Sequence, residues 1–276
     1  MHSIWLRAPG LSVWLGITLM GFLSAAAGAD RETLSPRYPA GLDRQGILEQ
    51  ASEFYRQGRL EEALEGFEYL ADLGIKNGYL FYNLGNTCFR LGRLGEAILW
   101  YERATRYLPR FRDLQVNFAF ARNALADEEF QKPAYGGTLG LLLALHGFFN
   151  LREGLMLTTG LFWLLAALVG LRWFLPNGAA AAWLRIPCWI LIIAFILSCF
   201  SSAFKIYQHE CLVEAIVMSP AVEVKTGPGN DFSTSFSLHE GTKVSLVQDQ
   251  GDWVRITLPG NTLFTGWLPK STIQAI

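Results

Sequence analysis

An excess of cationic residues is missing from this 276-residue chain: 23 Lys and Arg stand against 24 Asp and Glu, a formal net charge of −1. A protein built to hold nucleic acid replaces phosphate counterions with Lys and Arg, so nucleic acid is excluded as a partner. Charge of either sign is scarce at 17%, while 51% of the residues are apolar and the mean hydropathy is +0.24. Soluble domains seldom show that balance. Cysteine and histidine are equally thin, four of each. Cys188 and Cys199 fall in one apolar run and Cys88 and Cys211 in two separate segments, which excludes a disulfide framework. Cys88, at a helix packing position, is expected to be a small buried hydrophobe rather than a reactive thiol. His209, Glu210 and Cys211 are adjacent, and neighbours on a strand point to opposite faces, so they are poor metal ligands. The sequence holds no GxSxG, no phosphate loop, no HExxH and no Cys–His pair within one folded segment. No catalysis, no cofactor and no metal are expected.

What the sequence has instead is long apolar runs. Arg7 precedes an apolar stretch from Leu11 to Leu23 and then "AAAGAD", with small-residue cleavage sites before Gly28 or Asp30. Residues 1–29 have the pattern of a secretory signal peptide, the alternative being an uncleaved anchor; on either reading the following segment leaves the cytoplasm. Two further stretches, 154–175 and 186–206, are each about 20 residues long and apolar on all sides, enough to cross roughly 30 Å of hydrocarbon. The turn between them, 176–185, is flanked by Arg172 and Arg185 and has no acidic residue, which places it in the cytoplasm by the positive-inside rule. Trp173 and Trp183 stand where interfacial aromatics belong. Both large flanking segments then share the exported side. Residues 136–153 are too short an apolar run to cross and are expected to lie at the interface. His146, beside Phe148 and Phe149, reads there as an interfacial side chain rather than a proton relay.

The exported segment 43–130 is helical in pattern after a breaker-rich entry, "PRYPAG". Inside it "RLEEALEGFEYL" from Arg59 aligns with "RLGEAILWYERA" from Arg93, an offset of 34 residues. That is the period of the tetratricopeptide repeat, which this segment strongly resembles. In the second copy Phe81, Leu84, Gly85, Cys88, Ala97, Tyr101, Ala104 and Pro109 occupy the signature places. Gly85 and Ala97 allow two helices to approach, the aromatics fill the groove between them, and Pro109 stops the second helix. The first copy is weaker, keeping Phe54, Ala63 and Phe67, and residues after Pro109 fit a third first-helix, for about 2.5 repeats. A stack this short is minimal and is expected to lean on a partner or on the membrane. The resemblance implies a concave face for a peptide, carrying Tyr55, Tyr82, Asn83, Asn86, Phe89, Arg90 and Asn117. Asn86 and Asn117 match two asparagines of the family's carboxylate clamp, but the clamp's lysines are unmatched, Tyr82 standing in one of their places. A generic peptide groove is therefore expected; the alternative is that these asparagines bond neighbouring helix backbone.

Past Tyr207 the pattern becomes short alternating runs punctuated by "GPGND", "QDQGD" and "LPGN", five or six strands over residues 212–276. "AVEVKTGPGND", "LHEGTKVSLV", "GDWVRI" and "GWLPKSTI" resemble the bacterial SH3 family, which implies a small barrel. Trp253 and Trp267 carry most of that resemblance. In the family such aromatics form a shallow groove for peptide or peptidoglycan peptide; the alternative, favoured for Trp253, is that they complete the small core. Asp231, His239 and Asp252 read as turn or surface residues.

The fold class is thus multidomain: an all-α tetratricopeptide solenoid, a two-helix transmembrane hairpin, and a small all-β SH3-like barrel. This order of modules resembles the BatE-like family, the membrane-bound tetratricopeptide proteins of Bat aerotolerance clusters. The resemblance implies a scaffold at the bacterial inner membrane, facing the periplasm. It also implies partners: membrane proteins with von Willebrand A domains, a BatD-like protein and, indirectly, a MoxR-type ATPase. The alternative is a non-catalytic targeting subunit of a cell-wall remodelling enzyme, or that enzyme itself.

Overall fold

A computed structural model of the chain describes residues 38, 42–127, 146–174, 183–210, 213–259 and 261–276. The expected signal peptide 1–29, most of the interfacial segment 136–153 and residues 176–182 of the turn 176–185 lie outside the described residues, as do Cys211 and residues 128–130.

Five helices form the first unit: α1 (Arg44–Arg56), α2 (Leu60–Asp72), α3 (Gly78–Arg90), α4 (Leu94–Tyr107) and α5 (Arg112–Asn123). The offset of 34 seen in the sequence is also an offset in backbone conformation. Gly58 and Gly92, at φ 77° and 76°, end α1 and α3 in the left-handed region that glycine enters without a Cβ penalty. Arg59 and Arg93 come next with nearly the same torsions and each pairs with the glutamate three residues on, Glu62 at 3.2 Å and Glu96 at 3.6 Å. The first helices are started by side-chain caps: Asp43 Oδ1 accepts from Gly46 N at 2.8 Å and Asn77 Oδ1 from Tyr79 N at 2.8 Å. Apolar residues recur at helical spacing and are buried between paired helices, among them Ala51, Ala63, Phe67, Leu84, Cys88, Ala97 and Tyr101. Gly85 is the close approach: a Cβ there would lie 2.5 Å from the Tyr101 ring. Tyr38, from the breaker-rich entry, is buried against the first pair and donates its hydroxyl to Glu62 O at 2.8 Å.

Two long helices come after this unit, α6 (Leu151–Phe174) and α7 (Arg185–Glu210), of 24 and 26 residues. At 1.5 Å per residue each spans at least about 36 Å, and both are long and apolar enough to cross a membrane. Their apolar side chains point outward, Trp163, Trp189 and Phe200 among them. The seam between them is small and polar: Thr158 Oγ1 lies 2.7 Å from Ser198 Oγ and 3.3 Å from Ser202 Oγ, and Gly154 faces Ser202. Such seams are what hold helices together where lipid removes any hydrophobic preference for helix over tail.

The last unit is an antiparallel sheet of β1 (Glu214–Val217), β2 (Ala221–Lys225), β3 (Thr234–His239), β4 (Lys243–Gln250), β5 (Trp253–Leu258), β6 (Asn261–Pro269) and β7 (Ile273–Ala275). The strand order is β3-β2-β6-β5-β4-β1-β7. Seven strands form where five or six were expected, and the ladder stays open, with β3 and β7 at its edges. Alternation sets the core: Val222 and Val224, Val254 and Ile256, and Leu268 point to one side and are buried together.

The sheet is not a tethered satellite. Ile216 of β1 belongs to the same buried cluster as Ile98 of α4 and Leu125 after α5. Gly95 lets α4 come against the Val217 carbonyl, and Gly241, at φ 82°, lets the turn before β4 press on Leu125. The minimal helical stack does lean on something, and the support is its own chain. A methyl group at Gly241 would lie 2.3 Å from Leu125 Cδ2 and demand a left-handed non-glycine residue. Gly241→Ala is therefore expected to cost about 2–4 kcal/mol, strain and overpacking together. Gly58→Ala, with the same φ sign but open space around it, should cost only the strain, about 1–2 kcal/mol. Thermal unfolding of the full chain in detergent should order the two that way.

Candidate functional site

Helices α1, α3 and α5 bring the expected concave-face residues together. Arg90 on α3 reaches back to α1, donating to the Tyr55 carbonyl at 3.2 Å with its guanidinium 4.7 Å over the Tyr55 ring. One turn earlier on α3 a side-chain network runs across to α4 and α5. Tyr101 Oη donates to Asn86 Oδ1 at 2.7 Å, Asn117 Nδ2 donates to the same oxygen at 2.9 Å, and Asn117 Nδ2 also lies 3.1 Å from Tyr82 Oη. The alternative of asparagines bonded to helix backbone is not what forms; they bond each other and two tyrosines. Burial, with help from Tyr82 and Tyr55, pushes the Tyr101 phenol up, so its proton stays in place as a donor.

This network fixes direction as well as position. With Asn86 Oδ1 taken by two donors, the Asn86 amide nitrogen and the Tyr82 hydroxyl hydrogen are left without a partner among the described residues. Asn83 makes no side-chain hydrogen bond among the described residues. It lines, with Ser52, Tyr55 and Arg56, a cleft of about 550 Å³ between α1 and α3. Tyr82 stands edge-on to Phe111 at 5.2 Å, and Phe89 edge-on to the exposed Phe120 at 5.7 Å. The surface is a row of aromatic edges and amide donors without a carboxylate-binding lysine.

Cys88 sits behind this surface with no exposure, its thiol 3.6 Å from Glu96 Oε2. Burial first, and Glu96 second, push that thiol up. The side chain is a packing element, as its position in the repeat suggested.

On the sheet, Trp253 and Trp267 lie on one face, but not the core face. Register pairs Arg255 with Trp267 and Trp253 with Pro269, while Val254 and Leu268 point the opposite way into the core. The expectation that Trp253 completes the core is corrected accordingly: Trp253 is half-buried and outward. Trp267 is buried, as the alternative reading allowed for one or both tryptophans, and its other neighbour in register is Lys225. Two indoles and two cations thus share one sheet face.

Sequence reasoning missed the residues that join the modules. Asp127 is buried and accepts from His239 N at 2.7 Å, His239 Nδ1 at 3.0 Å and Thr242 Oγ1 at 2.8 Å. His239, expected on the surface, is half of that clasp. Lys243 lies between Glu102 Oε2 at 3.2 Å and Glu214 Oε2 at 2.9 Å, and Arg103 donates to the Ala275 carbonyl at 2.7 Å. Partners 112 to 172 residues apart leave no local signal. Under these contacts, where the helical stack meets α6 and α7, is a polar chamber of about 410 Å³ reached by Arg106, His146 and Lys205. His146 is spoken for, with Ser201 Oγ 2.8 Å from Nδ1 and the Phe204 ring at 5.3 Å. Among the described residues no three metal-ligating side chains lie together.

Residues 78–111, helices α3 and α4 with their turn, match the tetratricopeptide repeat family. The chain contains a tetratricopeptide repeat, and the α1–α2 pair repeats its geometry. None of the curated proteins and none of the solved structures matches the chain.

Two buried groups, Asp127 and Cys88, give predictions. Burial alone would raise the Asp127 carboxyl, but the donors from His239 and Thr242 hold it below the usual carboxylate range. A group with a depressed folded value gives its full stabilisation above the unfolded value, about 4, and loses it as pH falls through the folded one. The amides of 239–243 should therefore stay protected in hydrogen exchange from pH 8 to 5 and open below about pH 4. Asp127→Ala should open them at neutral pH, a loss of about 1–3 kcal/mol for stranding buried donors. For Cys88, peptide mapping after iodoacetamide at pH 8 should find no alkylation of the native chain and full alkylation in urea.

Proposed function

We propose that this protein is a membrane-anchored scaffold whose tetratricopeptide surface holds an extended segment of a partner protein. The observation that carries the proposal is the Tyr101–Asn86–Asn117–Tyr82 network, which leaves the Asn86 amide and the Tyr82 hydroxyl hydrogen without a partner among the described residues, next in sequence to the Asn83 cleft. Tetratricopeptide repeats generally bind protein partners, and aromatic edges spaced with amide donors can grip a peptide backbone without reading a terminus.

In the fuller reading, α6 and α7 cross the bacterial inner membrane and the helical and β modules both face the periplasm. Direct docking of the β module on α4 supports placing the two on one side, since Asp127 and His239 could not meet across a bilayer. The sheet is taken as a variant of the bacterial SH3 fold, and the Trp253 and Trp267 face as its ligand surface for peptide or peptidoglycan peptide. The partners proposed are those of a Bat aerotolerance complex: von Willebrand A-domain membrane proteins, a BatD-like protein and, through them, a MoxR-type ATPase. The role is one of binding, not catalysis, and needs no cofactor.

Crosslinking in the native host and then copurification tests the surface. Tyr82→Ala with Asn86→Ala should remove partner recovery by about tenfold or more, as expected for a hot-spot pair, with protein level unchanged; unchanged recovery refutes the surface. A reporter active only in the periplasm, fused after Ile276, should be active, and silence with normal expression refutes the topology.

A further inference from the structure

Between the helical stack and the start of α6 runs a second groove, of about 930 Å³. Its upper wall carries three cations, Lys76 at the entry to α3, Arg106 near the end of α4 and Arg152 in the first turn of α6; its lower wall is Leu155, Met156 and Thr159 of α6. Among the described residues no carboxylate lines it. Glu153, the nearest acidic residue in sequence, is engaged by Arg110 in an ion pair and by the Asn150 backbone N–H at 3.0 Å. Lys76 and Arg152 are exposed and have no ion-pair partner among the described residues. Arg106 uses one nitrogen on the Ile276 carbonyl at 3.2 Å and stands 4.0 Å from Glu214. The lower wall continues into the outward apolar face of α6, where Leu155, Met156 and Leu157 are 44%, 58% and 43% exposed.

A patch with positive charge above and hydrocarbon below, at the end of a membrane-length helix, matches one molecule in both parts. We propose that this groove binds a phospholipid with an anionic headgroup, its phosphate between Lys76, Arg106 and Arg152 and the start of an acyl chain along Leu155 and Met156. The proposal rests on the reading that α6 and α7 cross a membrane. The helix supports it twice over: the positive end of its dipole adds potential at the phosphate, and its side chains below are already those a lipid tail meets. A soluble phosphate would use only the upper wall. The consequence for the protein is that the helical stack is seated on the bilayer by charge, so that the peptide surface is held at a set height above anionic lipid.

Native mass spectrometry of the full chain in neutral detergent, offered phosphatidylglycerol and phosphatidylcholine in equal amounts, reads the preference directly. Phosphatidylglycerol should be retained over phosphatidylcholine. Lys76→Gln with Arg152→Gln should weaken that preference by about fivefold for each cation, roughly 25-fold together, while the charge-keeping pair Lys76→Arg with Arg152→Lys should preserve it. Equal retention of the two lipids, a preference untouched in the glutamine pair, or full competition by soluble glycerol 3-phosphate overturns the proposal. Alkaline extraction of native membranes separates the two readings. A chain that stays in the membrane pellet but shows no lipid preference sinks this inference alone, whereas a chain released to the supernatant sinks the membrane reading and this one with it.

Discussion

The outward face of α4 must be covered. A solenoid of stacked helix pairs buries each pair against the next, so the last complete pair ends in an apolar stripe with nothing to stack on. Here the stripe holds Gly95 and Ile98, and the next described helix is α5. The β module supplies the missing layer. Ile216 enters the helical core, the carbonyl of Val217 lies against Gly95, and the Gly241 turn presses on Leu125 and Ile98. The rest of the arrangement is built around this contact, in which β1 is backed by α4 and the helical and β cores are continuous.

Charge gives the contact its direction. An apolar stripe alone would accept the sheet in several registers, since hydrophobic burial is indifferent to small slides. Asp127 with three donors and Lys243 between two carboxylates accept only one. Burial opposes the charge on Lys243, yet Glu102 and Glu214 hold its pKa above the ordinary lysine value. The net stabilisation of such buried pairs is small compared with the cost of breaking one, which suits them to fixing geometry rather than to adding affinity.

Much of this was legible beforehand. The 34-residue offset identified the repeat because the packing positions Gly85, Ala97 and Tyr101 answer to contacts inside one hairpin, and local contacts leave local patterns. The two long apolar helices and the strand-rich tail were equally plain, for hydropathy and period 2 are properties of consecutive residues. What could not be read were contacts between segments far apart. His239 looked like a turn residue because its partner, Asp127, is separated from it by both long helices. Trp253 looked like core because an indole in a small β domain is most often buried; only the register against β6 shows which face it takes. The asparagines were half legible: their place on α3 and α5 was clear, but not that they would bond each other and so leave their remaining donors facing out.

The clasp also makes the chain mechanically circular. It leaves the helical stack after Asp127, runs through both long helices, and returns to that same aspartate at His239 and Thr242. A pull on the hairpin relative to the modules is then shared between the chain ends and the seat formed by Arg110 with Glu153 and by Asn150 with the Tyr107 carbonyl. Helical stack, sheet and the start of α6 are thus joined by side-chain contacts and not by chain connectivity alone.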